Sequence, residues 1–451
     1  MIARTVALVL LGGLMLVIQQ TAAPDLVASF RAISLALGFA LLAAAVLGNV
    51  VERIGLPRLT GYLLFGLICG PYALRLITPT MASQLQLVNG LAVALIAFIA
   101  GMELNIERLV KRFAVFAAFG ATTIVITFVG ILLVVFVAWP WLPIAPEASG
   151  AERLALALVL TTLVVSFSPT VTIAVITESR ARGRLSELVV ALVILGDLAL
   201  ILFFTLAMQF ARTVTGGAID DVGLFVRLVW EIIGSLAFGA LIGALFALYL
   251  RAVGRELTIV LLAVCAVMTG SAQLLHFESL LVALSAGIVV ENIAPPRGDA
   301  LRDAVENGAL PILIVFFVAA GATLNLGALT IVGPIALALA ATRGVWIKIG
   351  SAVGARLTRL DPMLAQHAWK GLISQAGVTL GLATIVAAEF PTWGAEMQTL
   401  MLAMIGLHEV VGPILFRSAL ASAGEVGQFD SEQALALDEL DRELTRSPGD
   451  R

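Results

Sequence analysis

One aspartate interrupts an otherwise apolar run. Leu188 to Ala211 reads LVVALVILGDLALILFFTLAMQFA, and Asp197 is its one ionisable side chain. A helix of roughly 20 residues spans a bilayer. A carboxylate at that depth costs about 2.5–3.5 kcal/mol on insertion scales, so it must face a partner or a watery cavity. Two basic residues, Arg343 and Lys348, lie deep in a second apolar run, 329–353, and are its candidate partners. Such a carboxylate can hold a proton or a monovalent cation, never both. Protonated, it is neutral and crosses the membrane cheaply; ionised, it needs Na⁺ or K⁺ as countercharge. A group that both takes and releases protons must titrate near the working pH.

A cation also needs neutral oxygens, and two further runs offer them. In 151–177 the segment Ser166-Phe-Ser-Pro-Thr170 places Pro169 mid-span, where it removes a backbone donor and clashes with the preceding turn. In 369–389 the segment Ser374-Gln375-Ala-Gly377-Val-Thr379, followed by Gly381, is equally helix-breaking. Freed carbonyls and the hydroxyls of Ser166, Ser168, Thr170 and Thr172 are candidate ligands beside Asp197 for a monovalent cation. Pro and Gly kinks are common in membrane helices. Matched breaks flanking Asp197 and Arg343 instead mark a midplane ion site between inverted repeats. Arg343 or Lys348 is expected to pair with an acid and hold this region together. Glu409, in the last apolar run, sits where repeat symmetry would place Asp197, and reads as a structural partner of Arg343.

The elements that must position these groups follow from composition. The chain has 451 residues, 60% hydrophobic and 13% charged, with mean hydropathy +1.06. That excludes an ordinary soluble protein, and the apolar runs are too long for alternating barrel strands. The reading is an all-α polytopic membrane protein with thirteen core spans: 33–51, 59–77, 85–103, 113–139, 151–177, 188–211, 224–250, 256–275, 277–293, 310–324, 329–353, 369–389 and 394–418. The broken spans are the fifth and twelfth. Six spans, one linker span and six spans make them equivalent in two inverted six-helix repeats with crossed discontinuous helices.

Alternating the spans gathers Arg53, Arg58, Arg108, Lys111, Arg180, Arg182, Arg251, Arg356 and Lys370 on one face, and the Asp220-Asp221 pair on the other. The positive-inside rule makes the first face, with the C-terminus, cytoplasmic. A multi-pass protein of the inner (cytoplasmic) membrane is expected. Residues 1–32 read equally as a signal peptide or an extra helix. The membrane part runs 33–418, and 419–451 form a short acidic tail with a capping box at Asp430–Gln433. The two cysteines, Cys69 and Cys265, and the three histidines match no disulfide or metal spacing. Glu103 reads as interfacial, Glu278 and His276 as solvated at a span junction, and Gly66 with Gly70 as a helix-packing GxxxG. No cofactor and no nucleic-acid partner are expected; membrane lipid, protons and monovalent cations are.

Four segments resemble the monovalent cation:proton antiporter superfamily, which includes Kef-type and sodium–proton exchanger membrane domains. Leu56-Pro-Arg-Leu-Thr-Gly-Tyr-Leu-Leu-Phe-Gly-Leu-Ile-Cys-Gly-Pro71 is similar to its "LP-x-x-x-GYLLAG-x-x-x-GP" segment. Ala97-Phe-Ile-Ala-Gly-Met-Glu103 resembles "LF-x-x-G-x-E", and Phe316-Phe-Val-Ala-Ala-Gly321 resembles "FF-x-x-x-G". Ser168-Pro-Thr-Val-Thr-Ile-Ala-Val-Ile and the Asp197 helix follow in the family's order. The resemblance implies a homodimer whose mobile core domain moves in an elevator-like cycle, with the essential aspartate landing on Asp197. Electrogenic members carry two adjacent acids there, electroneutral ones Asn-Asp and Kef-type systems Gln-Asp; here the pair is Gly196-Asp197. Kef-type proteins continue into a nucleotide-binding domain, and no GxGxxG unit follows residue 418. Counting back from Gly377 puts Arg343 at the exchangers' arginine; counting back from Gln375 puts Lys348 at the Kef-type lysine. A single acid implies electroneutral exchange. The competing readings are a sodium-coupled solute symporter of bile-acid-carrier type and a potassium efflux channel-like protein. An enzyme or ATP-driven pump is not expected, for no Walker-type loop is present.

Overall fold

The computed structural model describes residues 30–428 apart from 54–55, 86–88, 104–105, 149, 216–220, 254–255, 276, 294–310, 325, 376 and 391. The expectations for residues 1–29, His276, the Glu103 side chain and the 430–433 capping box lie outside the described residues. The described residues form helices and no strands. In hydrocarbon every backbone donor and acceptor must be satisfied within its own segment, and the helix does that.

In chain order the helices are α1 (Phe30–Arg53), α2 (Arg58–Cys69), α3 (Pro79–Leu85), α4 (Asn89–Glu103), α5 (Ile106–Ala138), α6 (Gly150–Val165), α7 (Pro169–Glu178) and α8 (Arg184–Thr215). They continue as α9 (Asp221–Ala252), α10 (Leu257–Leu275), α11 (Ser279–Ile293), α12 (Pro311–Thr323), α13 (Leu326–Thr358), α14 (Pro362–Gly371), α15 (Gly377–Glu389) and α16 (Gly394–Ser422). Among the described residues seven segments are long and apolar enough to cross a membrane, among them Arg184–Thr215, Leu257–Leu275 and Gly394–Ser422. The outer faces carry exposed Trp230, Ile233, Leu241, Leu245 and Leu248 on α9 alone. Water would penalise so continuous an apolar surface; lipid does not.

Several element boundaries differ from the sequence reading, two of them by changing the course of the chain. The 59–77 stretch is a shorter helix, α2, stopped at Gly70-Pro71. The chain then doubles back, with Leu74 N–H donating to Ile68 O at 2.9 Å and Arg75 N–H to Gly70 O at 3.0 Å. The broken span read as 369–389 begins instead at Pro362. Gln366, His367 and Lys370 made this stretch look like a loop, but Asp361 caps it, accepting from Met363 N–H at 3.0 Å.

By packing, α5–α8 and α13–α16 form one group. α4 packs with α9–α11, and α1 with α2. The principal contacts of the large group with these helices are those of α7 with α2 and α4, and of α16 with α2. α2 and α12 approach backbone to backbone, because a β-carbon at Gly66 would collide with Val318 O. Gly66 and Gly70 thus pack a helix pair.

The large group grips the start of α2. Pro57 offers that helix no side-chain cap. The Glu178 carboxylate at the end of α7 accepts from Arg58 N–H, and from Leu59 N–H at 3.2 Å. From α16, Arg417 donates to Leu56 O at 2.6 Å. Beyond α16 the chain turns back, and Glu425 caps α8 by accepting from Leu185 N–H at 2.6 Å and Ser186 N–H at 2.9 Å.

Candidate ion site at the helix crossing

Two ion pairs fix the relative direction of the broken helices. Arg184 at the start of α8 pairs with Asp361 at the start of α14, at 3.1 Å. Arg212 near the end of α8 forms a two-pronged pair with Glu389 at the end of α15, with Nη2 to Oε2 at 2.9 Å. The α14–α15 helix therefore runs alongside α8 in the same direction. The α6–α7 helix reaches α8 through a short turn after Glu178, and so runs the opposite way.

The two interruptions meet. Ser166 Oγ touches Thr379 Oγ1 across the crossing, and Thr172 Oγ1 donates to Gly371 O at 3.1 Å. Ser168 caps α7, accepting from Val171 N–H at 3.2 Å, with Pro169 in the first turn where no donor is needed. α6 and α14 both end here, so two carbonyl-bearing, partly negative helix ends converge.

Arg343 answers that convergence. Fully buried on α13, its guanidinium donates to Ile373 O at 2.7 Å, to Ser166 O at 2.6 Å and to Leu372 O at 3.2 Å. Its Cζ lies 5.8 Å from the ring centroid of Phe167. A planar fork of donors suits several converging carbonyls as an ammonium would not. The expected pairing of Arg343 with Asp197 or Glu409 is therefore corrected: among the described residues no carboxylate lies within ion-pair distance of it. The arginine serves backbone oxygens of both breaks. Lys348 is not brought to the crossing; it is exposed on α13 with Nζ 5.6 Å above the Trp369 ring.

Gln375 closes the remaining gap. Its Nε2 donates towards Leu163 O at 2.8 Å, Val164 O at 3.1 Å and Ser166 Oγ at 2.9 Å. Its Oε1 lies 2.9 Å from Nδ1 of His408 on α16. Of the carbonyls freed by the breaks and expected as cation ligands, those of Leu163, Val164, Ser166, Gly371, Leu372 and Ile373 are thus already engaged by protein donors. Ser166 Oγ donates to Leu163 O at 3.0 Å while meeting Gln375 and Thr379, which leaves it no spare lone pair. Ser374 packs against Gly412 of α16, where a β-carbon would collide with its hydroxyl.

Asp197 stands one residue from this crossing, for Gly196 is overlain by the Phe167 ring. Asp197 Oδ1 is buried with no hydrogen-bond partner, as is Oε2 of the buried Glu409. Glu278 is not a freely solvated side chain. Half-buried, it caps α11, its Oε2 accepting from Leu281 N–H at 2.6 Å, while its N–H donates to Ser235 Oγ at 2.9 Å. Sequence reasoning missed His408 and Phe167: a histidine outside any metal spacing and an aromatic in an apolar run carry no signal until their neighbours are placed.

The family model "Sodium/hydrogen exchanger, transmembrane" matches residues 37–421. The chain belongs to that family. Its members are transporters rather than enzymes, and the chain is a multi-pass membrane protein. Among its relatives, the glutathione-regulated potassium-efflux system protein KefC of Escherichia coli O45:K1 (strain S88 / ExPEC) is 26% identical over 415 residues, covering 89% of this chain and 62% of KefC. KefC of Enterobacter sp. (strain 638) is 26% identical over 416 residues, covering 90% and 62%. The chain thus spans under two thirds of these curated relatives. A structure of the sodium proton antiporter MjNhaP1 from Methanocaldococcus jannaschii at pH 8 superposes with TM-score 0.57 at 17% identity, covering 89% of this chain and 97% of that one. The electron-microscopy map of MjNhaP1 gives TM-score 0.67 at 15% identity, covering 88% and 99%. These two likenesses establish the shared fold.

Proposed function

We propose that the protein is a secondary-active antiporter that exchanges one monovalent cation, Na⁺ or K⁺, for one proton, with Asp197 as the shared carboxylate. The observation that carries this reading is the contrast between oxygens. Carbonyls at both breaks, those of Leu163, Val164, Ser166, Leu372 and Ile373, and the Ser166 hydroxyl are engaged, whereas Asp197 Oδ1 is buried and uncommitted. A buried anionic oxygen without a donor must take a proton or a cation. Ser168, Thr170, Thr172 and water complete the cation's shell, while Ser166, Arg343, Gln375 and Ser374 build the frame. Lys348 takes no part.

Thirteen spans in two inverted six-helix repeats, with α9 as linker, fit the opposed broken helices, and a homodimer is the assembled form. Exchange proceeds by alternating access. The helices carrying the crossing, α5–α8 and α13–α16, shift against α1, α2, α4 and α9–α12. The cationic face and the C-terminus lie in the cytoplasm of an inner membrane. Potassium, named in the KefC relatives, and sodium, named in the MjNhaP1 structures, are the two cations to compare.

Everted membrane vesicles carrying a pH-sensitive dye test the reading. Adding Na⁺ or K⁺ releases the established proton gradient in wild type, and Asp197→Asn or Asp197→Ala removes the response while membrane-inserted protein persists. A retained response in either variant removes Asp197 from the centre. A dye signal indifferent to every monovalent cation overturns antiport itself.

A further inference from the structure

Gln375 can face only one way. Its Nε2 side meets two backbone carbonyls, Leu163 O and Val164 O, which accept and cannot donate. Turning the amide over would press Oε1 against them, oxygen on oxygen. Oε1 therefore points at His408, and the 2.9 Å contact is a hydrogen bond in the Nδ1–H form of a ring that also meets the Ala340 backbone on α13. Both side chains are buried, at 0% and 3% exposure, so water offers no substitute donor.

The consequence runs on to the hydroxyls. Ser166 donates its one hydrogen to Leu163 O, so Thr379 must donate to Ser166, and Ser166 accepts from Gln375 as well. One directed chain of hydrogens thus runs from His408 through Gln375 to Ser166. It supplies donors to the last carbonyls of α6, which would otherwise be orphaned at the break. Were His408 unable to donate, Oε1 would lack its partner and the amide would leave its seat. The Val164 oxygen would then lose its side-chain donor, and Leu163 O and Ser166 Oγ would each lose one of two, leaving lone pairs to compete for a cation in unplanned geometry.

We infer that His408 is a positioning residue of the ion site: its Nδ1–H orients Gln375 so that the oxygens at the α6 break stay occupied and the cation is left to Asp197. This rests on the antiport reading above and extends it to a residue on α16. A histidine serving only as core packing would be replaced equally well by either amide.

The test compares two amides in reconstituted exchange. Asparagine carries its side-chain N–H where His408 has Nδ1, and glutamine carries its own where the ring has Nε2. His408→Asn is expected to keep the cation KM near the wild-type value. His408→Gln raises it about fivefold, the loss of one buried hydrogen bond, with a smaller change in kcat. His408→Leu, if it inserts, behaves as His408→Gln, and combining it with Gln375→Leu adds little further. Equal KM values for the Asn and Gln variants overturn the inference while leaving antiport standing. Absence of cation-dependent proton flux in wild type overturns antiport and the inference together.

Discussion

At position 196 a β-carbon would run into the ring of Phe167, and that collision ties together two residues from different helices. The family resemblance implies a second polar or acidic side chain before the aspartate, and here the space is filled by an aromatic from the α6–α7 break. Phe167 in turn lies beneath the Arg343 guanidinium. The pair predicts a specific non-additivity. Gly196→Ala alone overpacks the crossing, at about 1–3 kcal/mol, and lowers the detergent melting temperature. Adding Phe167→Ala frees the space, so the double variant is more stable than the sum of the single changes implies. Purely additive melting shifts would mean that the two residues do not share this space. Asp197 was legible in the sequence, since an acid amid apolar residues stands out. The reason for its solitary state was not, because it depends on a ring more than twenty positions away.

Among the elements, the crossing owes its shape to two helices that stop where hydrocarbon ordinarily forbids it. α6 ends at Val165 and α14 at Gly371, and their last carbonyls are met by Arg343, Gln375 and Thr172. Arg343→Met removes donors from three carbonyls, at about 1 kcal/mol for each hydrogen bond. Arg343→Lys restores the charge but not the fork, and is expected to recover only part of the lost stability. Thermal melting in detergent and expression yield report both, and a lysine variant as stable as wild type would show that charge alone suffices. The breaks at Pro169 and at Ser374–Gly377 could be read from Pro, Gly and hydroxyl spacing. The start of α14 could not, because Gln366, His367 and Lys370 imitate a loop until Asp361 is seen capping them. The choice between Arg343 and Lys348 was open for a similar reason. Five positions apart, they leave one helix in different directions, and only packing distinguishes the buried one from the exposed one.

For the whole molecule, hydropathy alone established a helical membrane protein, while the grouping of its helices appears only in how they pack. At the start of α2, Glu178 and Arg417 tie α7 and α16 to that helix. The proposed exchange through one shared carboxylate would fix the charge moved per cycle, with one cation crossing in one direction and one proton in the other. The most direct measurement is cation-driven proton flux in proteoliposomes at clamped membrane potentials, with Asp197→Asn as the control. The account predicts flux in wild type that is the same at every potential and absent in the variant. Wild-type flux that rises or falls steadily with potential would contradict it.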